Sequence, residues 1–330
     1  MKNRQRNILI LTAISLIVIS ILSLMFGTHI ISFNELIAAL FQEDAKYHWI
    51  VWEYRVPRLC IGALVGASLA VAGTIFQGVL KNPLASTDVL GMTKGAGFMA
   101  ALVLTIPMLQ HIPVSISALL GGLLVAVILF LLTRKSGFKN SNVIVMGIAL
   151  SAMFDAGIQY LTLNTSGNVQ TAFTWLIGSL WGKYWDELLM MLPFVLICFP
   201  IVLGLSKRLD ILGLSDEIVI GLGENILRTK IILLLMGVLL TAISVSVAGT
   251  ISFIGLMAPH IAKSLVGHRH SILILTSGMV GALLIVIADT VGRTLFSPIE
   301  IPVGIVTAII GAPYFIYLLL NKNQLKQRGL

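Results

Sequence analysis

The residues best suited to chemistry in this sequence are the few charges that interrupt its apolar stretches. Asp289 and Arg293 stand four residues apart, which places an acid and a base on one face of a helix. Two more arginines, Arg55 and Arg58, occur in the segment EYRVPRL. A guanidinium binds a carboxylate through two parallel hydrogen bonds, so these three arginines predict a docking surface for acidic side chains. The alternatives are a self-neutralising pair for Arg293, and contact with local acids such as Glu53 for the other two.

A second candidate lies in a run that is otherwise free of charge. Asp155 and Gln159 share one face of the helix predicted there. Either they line a polar pathway, or Asp155 pairs with a polar group elsewhere in the bundle. The sequence contains neither a G-x-x-x-x-G-K-[ST] loop for ATP nor an H-E-x-x-H metal motif, and its six histidines lack metal-ligand spacing. We therefore predict no catalytic residue, no metal site and no cofactor held by this chain.

The composition identifies the surroundings in which these charges must act. The chain has 330 residues, of which 57% are hydrophobic and only 11% charged, and its mean hydropathy is +0.99. Soluble domains contain about 25% charged residues. A chain with so little charge is neither a cytosolic enzyme, nor a disordered protein, nor a secreted disulfide scaffold. We predict an all-α polytopic membrane protein.

The charge-free runs predict about ten transmembrane helices, because about 20 helical residues cross a hydrocarbon core. The run 95–133 is long enough for two spans, separated near Pro107 and Pro113. The run 231–262 is long for one span and short for two, but lysines and arginines flank both of its ends. Since cations mark the cytoplasmic face, this run must cross an even number of times. We predict two helices there, the second of them short.

The placement of cations also predicts the orientation, a multi-pass protein of the cell membrane with both termini in the cytoplasm. In that topology the cytoplasmic segments hold all but five of the 22 lysines and arginines. The five exceptions are Lys46, Arg55, Arg58, Lys183 and Arg293. Topology thus accounts for the net charge of +8, and nucleic-acid binding is not predicted.

An internal repeat connects the two halves of the chain. The pentapeptide VAGTI occurs at 71–75 and again at 247–251. Five predicted spans separate the copies, so the copies have opposite orientations, an arrangement typical of transporters that alternate access across a membrane. We predict one transmembrane domain over 1–330, with inverted repeats at roughly 58–163 and 229–321.

The longest predicted cytoplasmic loop is 207–228, KRLDILGLSDEIVIGLGENILR. It mixes apolar and acidic residues, namely Leu212, Leu214, Ile218, Leu222, Asp216, Glu217 and Glu224. This pattern predicts two short amphipathic helices, divided near 221–223, that offer an apolar surface to a soluble partner. The alternative is an ordinary connecting loop.

Several segments together carry a resemblance to a known family. They are EYRVPRL (53–59), GASLAVAGTIFQGVLKNPLA (66–85), GSLWG (178–182), LGLSDEIVIGLG (212–223), AGTISFIGLMAPHIAK (248–263), AD (288–289) with Arg293, and IPVGIVTAIIGAPYF (301–315). With them the chain resembles the permease subunits of the FecCD family of bacterial ABC importers, whose members import iron–siderophores, haem and vitamin B12. The resemblance covers nearly the whole chain. It implies the fold of a type II ABC importer permease, a transport subunit rather than an enzyme.

The resemblance implies roles for the matching positions. Family arginines in the PR motif and after the AD motif meet glutamates of an extracytoplasmic substrate-binding protein, and the matching residues are Arg55, Arg58 and Arg293. The coupling helices of the family sit in a cleft of the ATPase subunit. The matching residues are Leu214, Asp216, Glu217, Leu222 and Gly223. The loop that narrows the inner gate matches Asn82, Pro83 and Leu84, and Ser141 and Asn142 occupy the place of the second gate loop.

The resemblance also implies partners and a cargo. The partners are a second permease subunit, identical or paralogous, two ABC ATPase subunits that bind ATP and magnesium, and the substrate-binding protein. EYRVPRL, NPLASTDVLG and GSLWG are most similar to iron-dicitrate permeases, so the expected cargo is a ferric siderophore of the citrate or hydroxamate type. Haem or vitamin B12 is the alternative within the family. An ion-coupled secondary transporter, suggested by Asp155 and the repeat, is the alternative outside it.

Two departures from the family pattern concern the gate. The sequence has Ser-Thr-Asp at 86–88, where an acid-Pro or Pro-Asp arrangement is more usual. It also has Lys94 where small polar residues are common. These differences affect the expected shape of the gate and leave the expected class of protein unchanged.

Overall fold

The computed structural model describes residues 2–133, 140–163, 169–221 and 225–327, which form fourteen α-helices and no strand. The helices are α1 (Lys2–Met25), α2 (Phe33–Phe41), α3 (Val56–Val79), α4 (Met92–Thr105), α5 (Val114–Thr133), α6 (Asn140–Leu163), α7 (Val169–Ile177), α8 (Trp185–Gly204), α9 (Ser206–Leu212), α10 (Asp216–Gly221), α11 (Ile226–Ala248), α12 (Ile254–Val266), α13 (His270–Thr294) and α14 (Val303–Gln327). A π-helical segment, Ile50–Arg55, leads directly into α3.

The long helices coincide with the predicted membrane spans. Seven described helices are long and apolar enough to cross a membrane, namely α1, α3 with its π-helical segment, α5, α6, α8, α11 and α13. Shorter apolar helices are α4, α12 and the first part of α14. These ten helices match the ten predicted spans one by one. The predicted all-α membrane architecture is confirmed.

The predicted break inside the run 231–262 lies at Gly249. α11 ends at Ala248, and Gly249 has a φ of 73°, in the left-handed region that favours glycine. A Cβ atom at this position would lie 2.2 Å from the carbonyl oxygen of Trp175, so close packing also requires a glycine. α12 then begins at Ile254 and has only 13 residues. The prediction of a long helix followed by a short one is confirmed.

The core of the bundle is a close pair of helices, α3 and α13. Gly66 on α3 and Gly281 on α13 face each other, and a Cβ atom on either glycine would lie 2.2 Å from the carbonyl oxygen of the other. Small residues allow such an approach of two backbones, which is how helices in lipid gain packing energy. The side chains around this contact, including Val65, Leu69 and Ile285, are fully or almost fully buried.

The two halves of the chain repeat four helices of similar length. α3 to α6 have 24, 14, 20 and 24 residues, and α11 to α14 have 23, 13, 25 and 25. The packing is reciprocal, since α3 lies against α13 while α11 lies against α5. The two VAGTI copies differ locally, because 71–75 is helical throughout and 247–251 contains the end of α11. Helix lengths and packing favour an inverted repeat, which stays a prediction.

The glycine contact between α3 and α13 generates a first prediction. Gly66→Ala is expected to lower the thermal unfolding midpoint of the detergent-solubilised protein, because the new methyl group must push the two backbones apart. Overpacking of this kind costs about 1–3 kcal/mol. Gly204→Ala is the matched control, since a Cβ atom there has no neighbour within 4 Å. Equal midpoints for the two variants would contradict the close contact.

Candidate functional site

The first predicted site forms around Arg58, in the first turn of α3. Its Nε lies 3.1 Å from both carboxylate oxygens of Asp289 on α13, and its Nη2 lies 2.8 Å from Asp289 Oδ1. Nη1 donates to the hydroxyl of Tyr54 at 2.6 Å and lies 2.9 Å from Oε2 of Glu300, in the loop before α14. Charge-assisted hydrogen bonds to Asp289 therefore join α3 to α13, and an ion pair with Glu300 joins α3 to this loop.

The other two arginines bind the end of α1. Arg293 Nε lies 3.2 Å from Asp289 Oδ2, and its Nη2 donates to the carbonyl and hydroxyl oxygens of Ser23 at 2.9 and 2.8 Å. Arg55 donates to the carbonyls of Leu24, Met25 and His29 at 2.5 to 3.1 Å. The last carbonyls of a helix have no partner within the helix, so Arg55 acts as a cap for α1.

The structure buries these arginines, and their role as a docking surface for acidic side chains stays a prediction. Arg55, Arg58 and Arg293 are 4%, 3% and 4% exposed, and each is bonded inside the chain. With the two acids Asp289 and Glu300 the cluster has a formal charge of 3 − 2 = +1. The expected neutralisation of Arg293 by Asp289 is correct, but it is only one part of this larger network.

The second polar group lies in the middle of the bundle. Lys94 Nζ on α4 lies 2.7 Å from Asp155 Oδ1 on α6, and the two side chains are 40% and 42% exposed. Gly95, next to Lys94, packs against Gly121, the eighth residue of α5. Gln159, one turn beyond Asp155, is exposed. Asp155 therefore pairs with a polar group elsewhere in the bundle, which was one of the two interpretations. It also lies on an accessible face, as the polar-pathway interpretation required.

Asp88 connects the elements around this ion pair. Its carboxylate accepts a hydrogen bond from the hydroxyl of Thr93 at 2.8 Å, in the first turn of α4. The backbone N–H of Phe253, at the start of α12, faces the same carboxylate. The hydroxyl of Ser151 on α6 donates to the Asp88 carbonyl at 3.1 Å. The loop before α4 is thereby joined to two short helices and to α6.

The predicted gate residues lie at the end of the bundle opposite the arginine cluster. Asn82, Pro83 and Leu84 follow α3, and the amide oxygen of Asn82 accepts a hydrogen bond from the backbone N–H of Leu84 at 2.8 Å. Pro83 and Leu84 are exposed. Ser141 and Asn142 belong to the first turn of α6, where Ser141 is exposed and Asn142 half-buried.

The predicted coupling loop contains two short helices, but they divide at 213–215 rather than near 221–223. Leu212, expected on the surface, is 1% exposed because it packs in the core. Leu214 and Ile218 are 43% and 52% exposed, and Glu217 is exposed beside them. Asp216 is the first residue of α10. Leu222 and Gly223 lie outside the described residues.

Metal binding has no support in the part of the chain that the structure describes. No group of three or more histidine, cysteine, aspartate or glutamate side chains is arranged to hold an ion there. The polar groups of the two sites are instead ion pairs and helix-end contacts inside an apolar bundle. Ion pairs inside the membrane-spanning part of a protein often mark the pathway of a substrate or an ion.

Comparison with known proteins decides the family. A model of the FecCD transport family matches residues 15–321. The chain belongs to the FecCD transport family. The Fe(3+)-citrate import system permease protein YfmE of Bacillus subtilis (strain 168) is 44% identical to it over 312 residues, which are 94% of each protein. The Fe(3+) dicitrate transport system permease protein FecD of Escherichia coli (strain K12) is 38% identical over 281 residues, 85% of this chain and 88% of FecD.

A solved structure gives the same answer for the fold. An inward-facing metal-chelate type ABC transporter matches this FecCD protein with a TM-score of 0.84 and 28% sequence identity. The match covers 96% of this chain and 99% of the solved one. The predicted family and the predicted fold are therefore confirmed, and the chain is a membrane permease of a transport system.

Sequence reasoning missed two partners of the functional side chains in this FecCD permease. Glu300 pairs with Arg58, although 242 residues separate them, and its only signal was its place as an acid just before the last predicted span. Lys94 had a clearer signal, because it departs from the family pattern near a polar face. The distance between Lys94 and Asp155 along the chain concealed the pairing.

The arginine cluster generates a second prediction. Asp289→Asn is expected to lower the thermal unfolding midpoint strongly, since it leaves the guanidiniums of Arg58 and Arg293 buried without their shared carboxylate. Removing one partner of a buried ion pair costs about 3–5 kcal/mol. Asp186→Asn is the matched control because Asp186 is exposed in the first turn of α8. If both variants unfolded at the wild-type temperature, the result would contradict a stabilising role for the arginine cluster.

Proposed function

We propose that this FecCD permease forms half of the translocation pathway of an ATP-driven importer whose cargo is a ferric chelate of the citrate type. YfmE and FecD are both ferric citrate permeases, and their similarity to this chain supports this cargo. The sequence has no phosphate-binding loop of the G-x-x-x-x-G-K-[ST] type. We therefore assign the binding of ATP and magnesium to two partner ATPase subunits. We assign delivery of the cargo to an extracytoplasmic binding protein.

The observation that carries the proposal is the accessible ion pair between Lys94 and Asp155. A charge in contact with lipid at the centre of a helix costs about 2.5–3.5 kcal/mol on insertion scales. Two side chains that are 40% and 42% exposed at this depth therefore need water or protein, rather than lipid, on their accessible side. The face of α4 and α6 that carries them is the natural wall of a water-filled pathway.

A second permease subunit, identical or paralogous, is the partner that encloses such a pathway. One chain exposes this face, so a second chain must cover it, and Gln159 would lie on the same wall one turn from Asp155. The short helices α4 and α12 begin within the bundle, as half-helices do at transport sites. This geometry favours a pathway between two subunits over one enclosed in a single chain.

The remaining assignments follow from the ends of the bundle. We place the α9–α10 end in the cytoplasm, with both termini, because lysines and arginines concentrate on that side. Leu214, Glu217 and Ile218 then offer an exposed surface to the ATPase, and Asn82 to Leu84 lie at the cytoplasmic gate. The end of the bundle that carries Arg55, Arg58 and Arg293 then faces outward. The arginine cluster fixes the shape of the surface to which the binding protein docks.

The secondary-transport alternative loses its main argument in this structure. It required an acid that takes up and releases a coupling ion, and Asp155 is bound to Lys94 at 2.7 Å. A coupling cation could bind Asp155 only by displacing the ammonium of Lys94.

Transport measurements supply the third prediction. In proteoliposomes that contain the permease with its ATPase and binding protein, uptake of radiolabelled ferric citrate should require ATP and persist in the presence of a protonophore. Excess ferric citrate should compete with the label, whereas haem and cobalamin should not. Uptake that stops with the protonophore and needs no ATPase would contradict the proposal and favour the secondary transporter. Competition by haem or cobalamin would instead contradict only the cargo.

Thiol labelling supplies the fourth prediction, which concerns the pathway wall. In a background with Cys60→Ala and Cys198→Ala, a cysteine in place of Gln159 should react with a membrane-impermeant maleimide, since water reaches that face. A cysteine in place of Ile197 is the matched control, because Ile197 is 60% exposed on the apolar helix α8 and should face lipid. Equal protection of the two cysteines would place Gln159 in lipid and refute the assignment.

A further inference from the structure

The short helix α9 is seated firmly on the end of α3. Leu209 and Leu212 are 0% and 1% exposed, and both pack in the core cluster that contains Val79 and Leu80. Gly78 lies so close that an added Cβ atom would be 3.2 Å from Leu209 Cδ1. α9 therefore rests against the last turn of α3 with an apolar face that leaves little space for sliding.

A polar contact fastens the same helix to the beginning of α13. Asp210 Oδ1 accepts a hydrogen bond from the backbone N–H of His270 at 2.9 Å and lies 2.6 Å from His270 Nδ1. The first backbone N–H groups of a helix have no partner within it, and the helix dipole favours an acid at this end. Asp210 thus caps α13 from a neighbouring helix and fixes the orientation of α9.

A third contact joins the segment after α9 to the predicted gate. Nζ of Lys81 donates to the carbonyl of Leu214 at 2.6 Å. Lys81 has a φ of 48° and directly precedes Asn82, Pro83 and Leu84. The exposed surface around Leu214 is therefore connected to the gate loop by one side chain.

We infer that α9 acts as a rigid lever, with Asp210 and Lys81 as the positioning residues that transmit its movement. A displacement of the surface formed by Leu214, Glu217 and Ile218 would move the end of α3, the beginning of α13 and the gate loop together. The apolar contacts hold α9 in place, while the two polar contacts fix its angle. This inference rests on the proposed function, since it needs an ATPase that moves this surface.

The experiment uses the complete importer in proteoliposomes and measures two rates, ATP hydrolysis and uptake of radiolabelled ferric citrate. The variants are Asp210→Asn, which keeps an oxygen for the His270 backbone and removes the charge, and Lys81→Met, which removes the donor. We expect ATP hydrolysis within about twofold of the wild type and at least a fivefold fall in chelate transported per ATP. Lys81→Arg should restore most of the ratio, because it restores a cationic donor.

Lys207→Met is the matched control, since Lys207 is exposed on α9 and should leave the ratio unchanged. A wild-type ratio in both Asp210→Asn and Lys81→Met would overturn the lever. A wild-type importer without ATP-dependent uptake would overturn the proposed function instead. Should Asp210→Asn fail to assemble, Lys81→Met decides the question by the same ratio, because its side chain is exposed and its loss is not expected to impair folding.

Discussion

A charge within this helix bundle must find a counter-charge or hydrogen-bond acceptors inside the protein, or lie on a face that water reaches, because the surrounding lipid offers neither water nor ions. In the arginine cluster, three cations lie beside two acids. These five side chains come from the start of α3, the end of α13 and the loop before α14. Arg293 then uses Nη2, and Arg55 uses Nη1, on carbonyl oxygens at the end of α1. One electrostatic requirement thus fixes the relative positions of four parts of the chain.

The sequence predicts the features that depend on the spacing of nearby residues or on the mean hydropathy of a segment. The ten spans follow from runs of apolar residues, and the pairing of Asp289 with Arg293 follows from their separation by one helical turn. The pairs Arg58–Glu300 and Lys94–Asp155 could not be predicted in this way, because their members lie 242 and 61 residues apart. Their pairing depends on which helices become neighbours, and several apolar helices of similar composition offer no pattern that decides it.

Burial was the second feature that the sequence could not settle. An arginine near the end of a span is compatible with snorkelling to water and with a buried ion pair, and the residue type is the same in both cases. Leu212 poses the same ambiguity in a short amphipathic helix, where an apolar side chain can face a partner or the protein's own core. In both cases the structure buries the side chain. The end of α1 lies over Arg293, and Leu212 of α9 packs in the hydrophobic core.

The pair α3 and α13 gives these separate sites a common frame. Their backbones meet at Gly66 and Gly281 without intervening side chains, so neither helix can move along the other without a steric clash. Arg58 and Asp289 join the pair at one end, and α9 contacts both helices at the other. A pair of helices fixed at both ends and in the middle transmits a displacement rather than absorbing it. Conformational change must therefore be taken up elsewhere. The short helices α4 and α12, which Asp88 joins at their beginnings, have fewer turns to rearrange than the other eight helices that match the predicted spans.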